Sequence, residues 1–232
     1  MIFRAHSQKL ILFLLYLGTC SVAMAQDDDD NDTEDNYRLI RPKHSYTIDI
    51  HLPTATSNQS LRGTTQGIIR LGASYNYSFK SGYGVGLGYH WNYLRIDKFK
   101  TPSFVTGGIG IQTVYGRINR EIFFNERAGL EYACKVGYSF FQFSSDSLEV
   151  RTGNKISTAE SIYVEPSIAF VLTVSGNSSC KWFLSYAFEG LAYDPTRIGL
   201  YNGMGFDPKK YERHMQYLSF GFSLTHYFSQ HK

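Results

Sequence analysis

The sequence predicts an all-β chain: an antiparallel, up-and-down transmembrane β-barrel, with eight strands as the preferred count. Three observations lead there. From His44 onward, segment after segment alternates between apolar and small or polar residues. The apolar faces are flanked by aromatic residues, from a supply of 18 Tyr, 17 Phe and 2 Trp in 232 residues. The connections between segments alternate short and long. Composition excludes the competing classes. Past the N-terminus no apolar run approaches the roughly 20 residues of a membrane-spanning helix. The aromatic content is too high for a disordered chain, and one domain is the default at this length.

Arg4 and Lys9 precede an apolar run over 10–17, which fades toward Ala23, Met24 and Ala25. A basic start, a short apolar stretch and small residues at the cleavage point predict a secretory signal peptide over 1–25, cut before Gln26. A lipoprotein signal with Cys20 as the lipidated residue fits less well, because Thr19 is bulky for the position before it. Residues 26–43 form an acidic tail, with seven acids between Asp27 and Asp35. Charge at that density repels itself into solvent. A calcium loop there would need a Gly turn and a spaced distal Glu, and both are missing.

The strands follow in order. In the first, Tyr46, Ile48, Ile50 and Leu52 alternate with Thr47, Asp49 and His51. The second sets Ile69, Leu71, Ala73, Tyr75, Tyr77 and Phe79 against Arg70, Gly72, Ser74 and Asn76. In the third, Val85, Leu87, Tyr89, Trp91 and Tyr93 have glycines, His90 and Asn92 between them. The fourth spans 111–124, with Val114, Ile118 and Ile122 opposite Tyr115, Arg117, Asn119 and Glu121; Arg120 interrupts its apolar face. The fifth faces Leu130, Tyr132, Cys134, Val136 and Tyr138 away from Glu131, Lys135 and Ser139. Ile162, Val164, Pro166, Ile168 and Phe170 define the sixth, with Glu165 and Ser167 behind them. Trp182, Leu184, Tyr186 and Phe188 define the seventh, opposite Ser185, Ala187 and Glu189. Leu218, Phe220, Phe222 and Leu224 define the eighth.

A soluble sandwich also alternates, but its polar face meets water and carries many Lys and Glu. Here that face is mostly Gly, Ser, Thr and Asn. Spans of about 9–11 alternating residues with aromatic girdles fit a barrel in lipid, which must close because an open edge would strand backbone groups. Small inward residues suit eight strands. Ten remain open, since part of 97–110 or 194–215 has the length to pair. The turns at 80–82, 125–127 and 175–180 are short, and the connections at 53–67, 97–110, 144–160 and 194–215 are long. That asymmetry orients the barrel with four long extracellular loops.

The segment 71–77 and the ending Leu218 to Phe228 resemble the small outer-membrane β-barrel domain proteins of Bacteroidota and the OmpA/OmpX-type eight-stranded architecture. The resemblance covers about 44–228, leaving 229–232 as a short C-terminal extension. It implies residence in the cell outer membrane, contact with outer-membrane lipid, and delivery by the barrel-assembly machinery reading the last strand. The group includes secretion-linked members and supplies no single function.

For chemistry, the inward parity collects Asp49, Glu121, Glu131, Glu165 and Glu189 with Arg70, Arg117, Lys135, His51 and His90. Ions in a narrow lumen are costly unless paired. The set reads either as a network that fills the barrel or as the lining of a small cation-preferring pore, its net charge being −2. No G-x-S-x-G, H-E-x-x-H or G-x-x-x-x-G-K is present, so an outer-membrane lipid enzyme has no motif behind it. No cofactor or metal is called for, and Cys134 and Cys180 read as passengers. Without signal and tail, 37–232 has 21 basic against 13 acidic residues, +8. For an exported chain that sign favours anionic headgroups over nucleic acid. Lys209, Lys210, Tyr211 and Arg213 make the last loop the best contact surface for an extracellular protein or surface ligand. The reading is a filled barrel with a structural or interaction role.

Overall fold

The computed structural model describes residues 44–79, 81–97, 99, 101, 105–125, 127–175, 177–200 and 214–228. The signal, the acidic tail, the C-terminal extension and the loop residues Lys209, Lys210, Tyr211 and Arg213 lie outside the described residues. Eight strands form one closed antiparallel barrel in chain order. They are β1 (His44–Ala55), β2 (Thr65–Ser78), β3 (Tyr83–Ile96), β4 (Gly107–Phe123), β5 (Ala128–Ser145), β6 (Ile156–Ser175), β7 (Ser178–Ala192) and β8 (His214–Tyr227). Closure is made by β1 on β8, paired without a break from Ser45↔Tyr227 to Ala55↔Tyr217. Helix α1 (Gln59–Thr64) lies between β1 and β2, and α2 (Asp146–Thr152) between β5 and β6; a 3-10 turn (Pro195–Ile198) follows β7.

Period-two patterning sets the faces. Ile48, Leu87, Ile118, Val136, Ile162, Leu184 and Phe220 are exposed on the outside, while Thr47, Ser74, Thr113, Ser139 and Ser219 are buried within. Arg120 keeps its outward parity without a bulge. It sits in register with Tyr83, and its guanidinium lies 5.0 Å from that ring, at the short-turn end of the wall. There a long cationic side chain reaches the interface.

The strands run past the limits read from alternation. β4 starts at Gly107 and ends at Phe123, because Gly107 to Gly110 pair with Ser145 to Gln142 of β5; a glycine cluster that looks like a loop is strand here. β4, β5 and β6 have 17, 18 and 20 residues, well beyond the 9–11 that cross a bilayer. The long connections shrink accordingly to 56–64, 97–106, 146–155 and 193–213, and the short turns fall at 79–82, 124–127 and 176–177.

Several inward glycines are needed for close approach rather than for turning. A Cβ on Gly137 would meet the Val114 carbonyl oxygen at 2.1 Å and the Tyr115 Cα at 2.7 Å. One on Gly88 would meet the Tyr115 ring at 2.4 Å. Tyr115 thus crosses the lumen in space that two neighbouring strands leave empty. Gly137→Val should overpack this layer against backbone and cost at least about 1–3 kcal/mol. The loss would be read as a lower melting temperature in the gel-migration shift between folded and heat-unfolded barrel. An unchanged melting temperature would contradict the packing.

Candidate functional site

The lumen has two unlike halves. Toward the short turns it is ionic. Glu165 of β6 accepts from the Arg70 guanidinium, from Lys135 Nζ at 2.9 Å and from the Tyr163 hydroxyl at 2.5 Å. Glu131 of β5 accepts from Arg117 and from Lys181 Nζ at 2.7 Å; Lys181 also reaches Glu121 Oε1 at 2.8 Å. The His51 ring nitrogen Nε2 lies 2.5 Å from Asp49 Oδ1 on the same strand. Arg70 and Glu165 are fully buried. Register explains two of the encounters: Lys135 faces Glu165 across β5–β6, and Glu121 faces Glu131 across β4–β5, where Lys181 reaches both.

Of the residues expected inside, Arg70, Arg117, Glu121, Glu131, Lys135, Glu165 and the Asp49–His51 pair join this network. His90 and Glu189 do not. His90 is buried against Tyr163 and Tyr115, at 5.1 and 5.4 Å between ring centroids, with neither ring nitrogen hydrogen-bonded. Glu189 is buried at 2% exposure and forms no ion pair among the described residues. It sits where β7 bulges, with Phe188↔Gln216 followed by Ala192↔His214.

Lys181 is the member that alternation missed. It lies inward by the same parity as Ser185 and Glu189, but the stretch 175–180 reads as a turn and hides where β7 starts. With Lys181 included, five acids face four bases, so the inward set carries −1 rather than −2 with the histidines neutral. A cavity of about 20 Å³ lies here, bordered by Asp49, Arg117, Glu131, Lys135 and Lys181. That is room for about one water.

Toward the long loops the interior is apolar, a departure from the mostly Gly, Ser, Thr and Asn face expected from alternation. Leu94, Ile96, Ile109, Ile111, Phe141, Phe143, Ala187, Met215 and Tyr217 point inward and are buried. Three of the long connections complete the cluster with Leu61, Val105, and Tyr193 with Ile198 and Leu200, while Leu148 of the remaining one is buried without being part of it. The signal was present in the sequence. In stretches such as Phe140-Phe141-Gln142-Phe143, the inward parity also turns apolar.

Hydrogen bonds join those connections into a ring. Asn58 caps α1 through its side-chain oxygen, which accepts from the Leu61 N–H at 3.0 Å, while its amide nitrogen donates to the Tyr193 carbonyl at 3.3 Å. The Tyr193 hydroxyl lies 3.0 Å from Thr64 Oγ1, and the Asp97 N–H donates to the Thr64 carbonyl at 2.9 Å. Thr106 bonds the Asp146 carboxylate, and the Asp146 N–H returns a bond to Thr106 at 3.1 Å. Ser147 Oγ donates to the Gly199 carbonyl at 3.1 Å. Gly199 holds φ +81°, and a Cβ there would strike the Leu148 nitrogen at 2.6 Å. Outside the membrane wall, Lys155 and Thr106 hold the Asp146 carboxyl below its ordinary range by hydrogen bonding.

Neither inward histidine is hydrogen-bonded to a serine hydroxyl, and no group of three or more His, Cys, Asp or Glu residues has metal-holding geometry, among the described residues.

No protein-family model and no curated protein matches the chain. Solved structures do. Neisserial surface protein A (NspA) superposes with a TM-score of 0.53 at 11% identity, over 79% of this chain and 96% of that one. A major outer membrane protein from Thermus thermophilus gives 0.49 at 9%, over 79% and 98%. The attachment invasion locus protein Ail of Yersinia pestis gives 0.45 at 12%, over 81% and 99%. The likeness to NspA shows the fold: this chain has the eight-stranded architecture of an outer-membrane barrel protein.

The network makes an energetic claim. Glu165→Gln strands two buried cations and should cost about 3–5 kcal/mol of unfolding free energy. Lys181→Met should also destabilise, because it removes the shared partner of Glu121 and Glu131. Lys155→Met, at the exposed Asp146 pair, should stay within about 1 kcal/mol of the parent. Urea unfolding of the three variants in detergent checks the order; three equal losses would contradict it.

Proposed function

We propose that the chain is an integral outer-membrane barrel with a closed lumen, which holds four connections as one fixed extracellular cap and acts through that cap in a structural or interaction role. The observation that carries this reading is the apolar cluster. Three of the four long connections place buried residues in it, and the remaining one is hydrogen-bonded to its neighbours through Asp146 and Ser147, so the loop end of the barrel has a packed core in place of a mouth. The ion network supports the same reading from the other half. Its charges are occupied with one another rather than left to line a passage. A cation pore would require the cluster of Leu61, Val105, Phe143 and Ile198 to leave the lumen.

The signal-like N-terminus and the terminal strand Leu218 to Phe228 support export, residence in the outer membrane and handling by the barrel-assembly machinery. They also support membership of the small barrel-domain group that the sequence resembles. Lys209, Lys210, Tyr211 and Arg213, further along the last long connection in sequence, remain the proposed contact surface for an extracellular partner.

Two experiments test this. The mature chain, 26–232, refolded into a planar bilayer should insert and stay silent; stable, salt-dependent current steps would favour the pore. An epitope placed between Gly153 and Asn154 should stain on intact cells, whereas one between Ser81 and Gly82 should stain only after permeabilisation. The opposite pattern would invert the barrel.

A further inference from the structure

Near its loop end the outer wall carries a group of polar side chains that make no hydrogen bond or ion pair among the described residues. Trp91, Tyr93 and Arg95 face outward on β3, Gln112 on β4 and Gln142 on β5. Register places them around a single spot: Trp91 opposite Gln112, Tyr93 opposite Gly110, Gly110 opposite Gln142, and Arg95 opposite Gly108. The Trp91 and Tyr93 rings stack at 5.9 Å and 14°. Tyr93 closes over Gly108, where a Cβ would meet its hydroxyl at 2.5 Å. Over Gly110 the floor is open, since a Cβ there meets nothing nearer than the Trp91 indole nitrogen at 3.9 Å. The result is a shallow trough about 10 Å across, two strand spacings. It has one aromatic wall, one amide wall, and an exposed guanidinium at its loop end.

Two tyrosines toward the same end of the wall do find partners within the protein. The Tyr138 hydroxyl donates to Glu160 at 3.0 Å. The Tyr186 hydroxyl donates to Gln216 Oε1 at 2.8 Å and lies 3.0 Å from Thr56 Oγ1. Around the trough, no side-chain hydrogen bond or ion pair is made by Trp91, Tyr93, Arg95, Gln112 or Gln142 among the described residues. Polar groups beside an apolar band are unfavourable unless something bonds them. The trough is also continuous with the exposed band below it, through Leu87, Val114 and Phe140. Whatever occupies it can extend apolar chains down the same face.

We propose that this trough binds the phosphorylated sugar headgroup of an outer-leaflet glycolipid. The stacked rings match the flat C–H face of a sugar, and the two glutamine amides match its hydroxyls. Arg95 matches a phosphate, to which a guanidinium bonds in a fork. The acyl chains lie along the band. The proposal rests on the membrane reading above and adds a ligand to it.

The chain holds two tryptophans, so Trp182→Phe leaves Trp91 as the sole indole reporter. The refolded single-tryptophan protein is inserted in vesicles of phosphatidylethanolamine and phosphatidylglycerol, with or without lipid A. The expected result is a saturable shift of Trp91 emission on adding lipid A. Gly110→Leu, which fills the trough from the floor without touching the lumen, should abolish the shift. Arg95→Gln with Gln142→Leu should weaken the apparent affinity about tenfold. Both variants should keep the parent's heat-dependent gel migration. An inserted barrel whose emission ignores lipid A, or whose Gly110→Leu variant responds like the parent, overturns the proposal alone. A chain that does not insert at all overturns the membrane reading and the proposal together.

Discussion

An eight-stranded barrel leaves an interior only about wide enough for its own side chains, and every inward position of this chain answers to that limit. Tyr115 crosses the lumen because Gly88 and Gly137 give it room. Arg70 is tolerated at full burial because Glu165 meets it, and Glu165 because Lys135 and Tyr163 complete its shell. In so narrow a space most ionic groups are partnered, while His90 is held by packing against Tyr115 and Tyr163 alone. The two halves of the lumen are two solutions of that one problem, by charge pairing toward the short turns and by apolar packing toward the loops.

Much of this was legible in the sequence, for a physical reason. Side chains alternate across a strand with a period of two, so parity alone assigned Asp49, Arg70, Arg117, Glu121, Glu131, Lys135, Glu165 and Glu189 to the interior. Parity names a face but not a height or a partner. Thus the pairing of Lys135 with Glu165 rather than Glu131 had to come from register. Strand ends were the weak point. Reading 175–180 as turn hid Lys181, and reading 97–110 as loop hid Gly107 to Gly110, because glycine and serine mark turns and also permit close strand packing. The apolar half was overlooked because outward and inward positions both become apolar there, which blurs the alternation that located the strands.

The cap gives the fold a functional direction. Loops carry function when a rigid scaffold positions them. Here the scaffold reaches into the loops, since Leu61, Val105, Leu148 and Ile198 are buried like strand residues. The lipid-facing wall is just as particular. Its girdle is self-satisfied at Tyr138 and Tyr186, and left open to an outside partner around Gly110.

Central to the account is a lumen sealed at its loop end, and solvent access to one inward position tests it most directly. Ala187 is fully buried within the apolar cluster, so Ala187→Cys, in a chain whose Cys134 and Cys180 are changed to Ser, places a thiol behind the seal. A small, membrane-impermeant thiol reagent added outside intact cells should leave it unlabelled until the barrel is heat-unfolded. Rapid labelling of the folded barrel from outside would contradict the closed lumen.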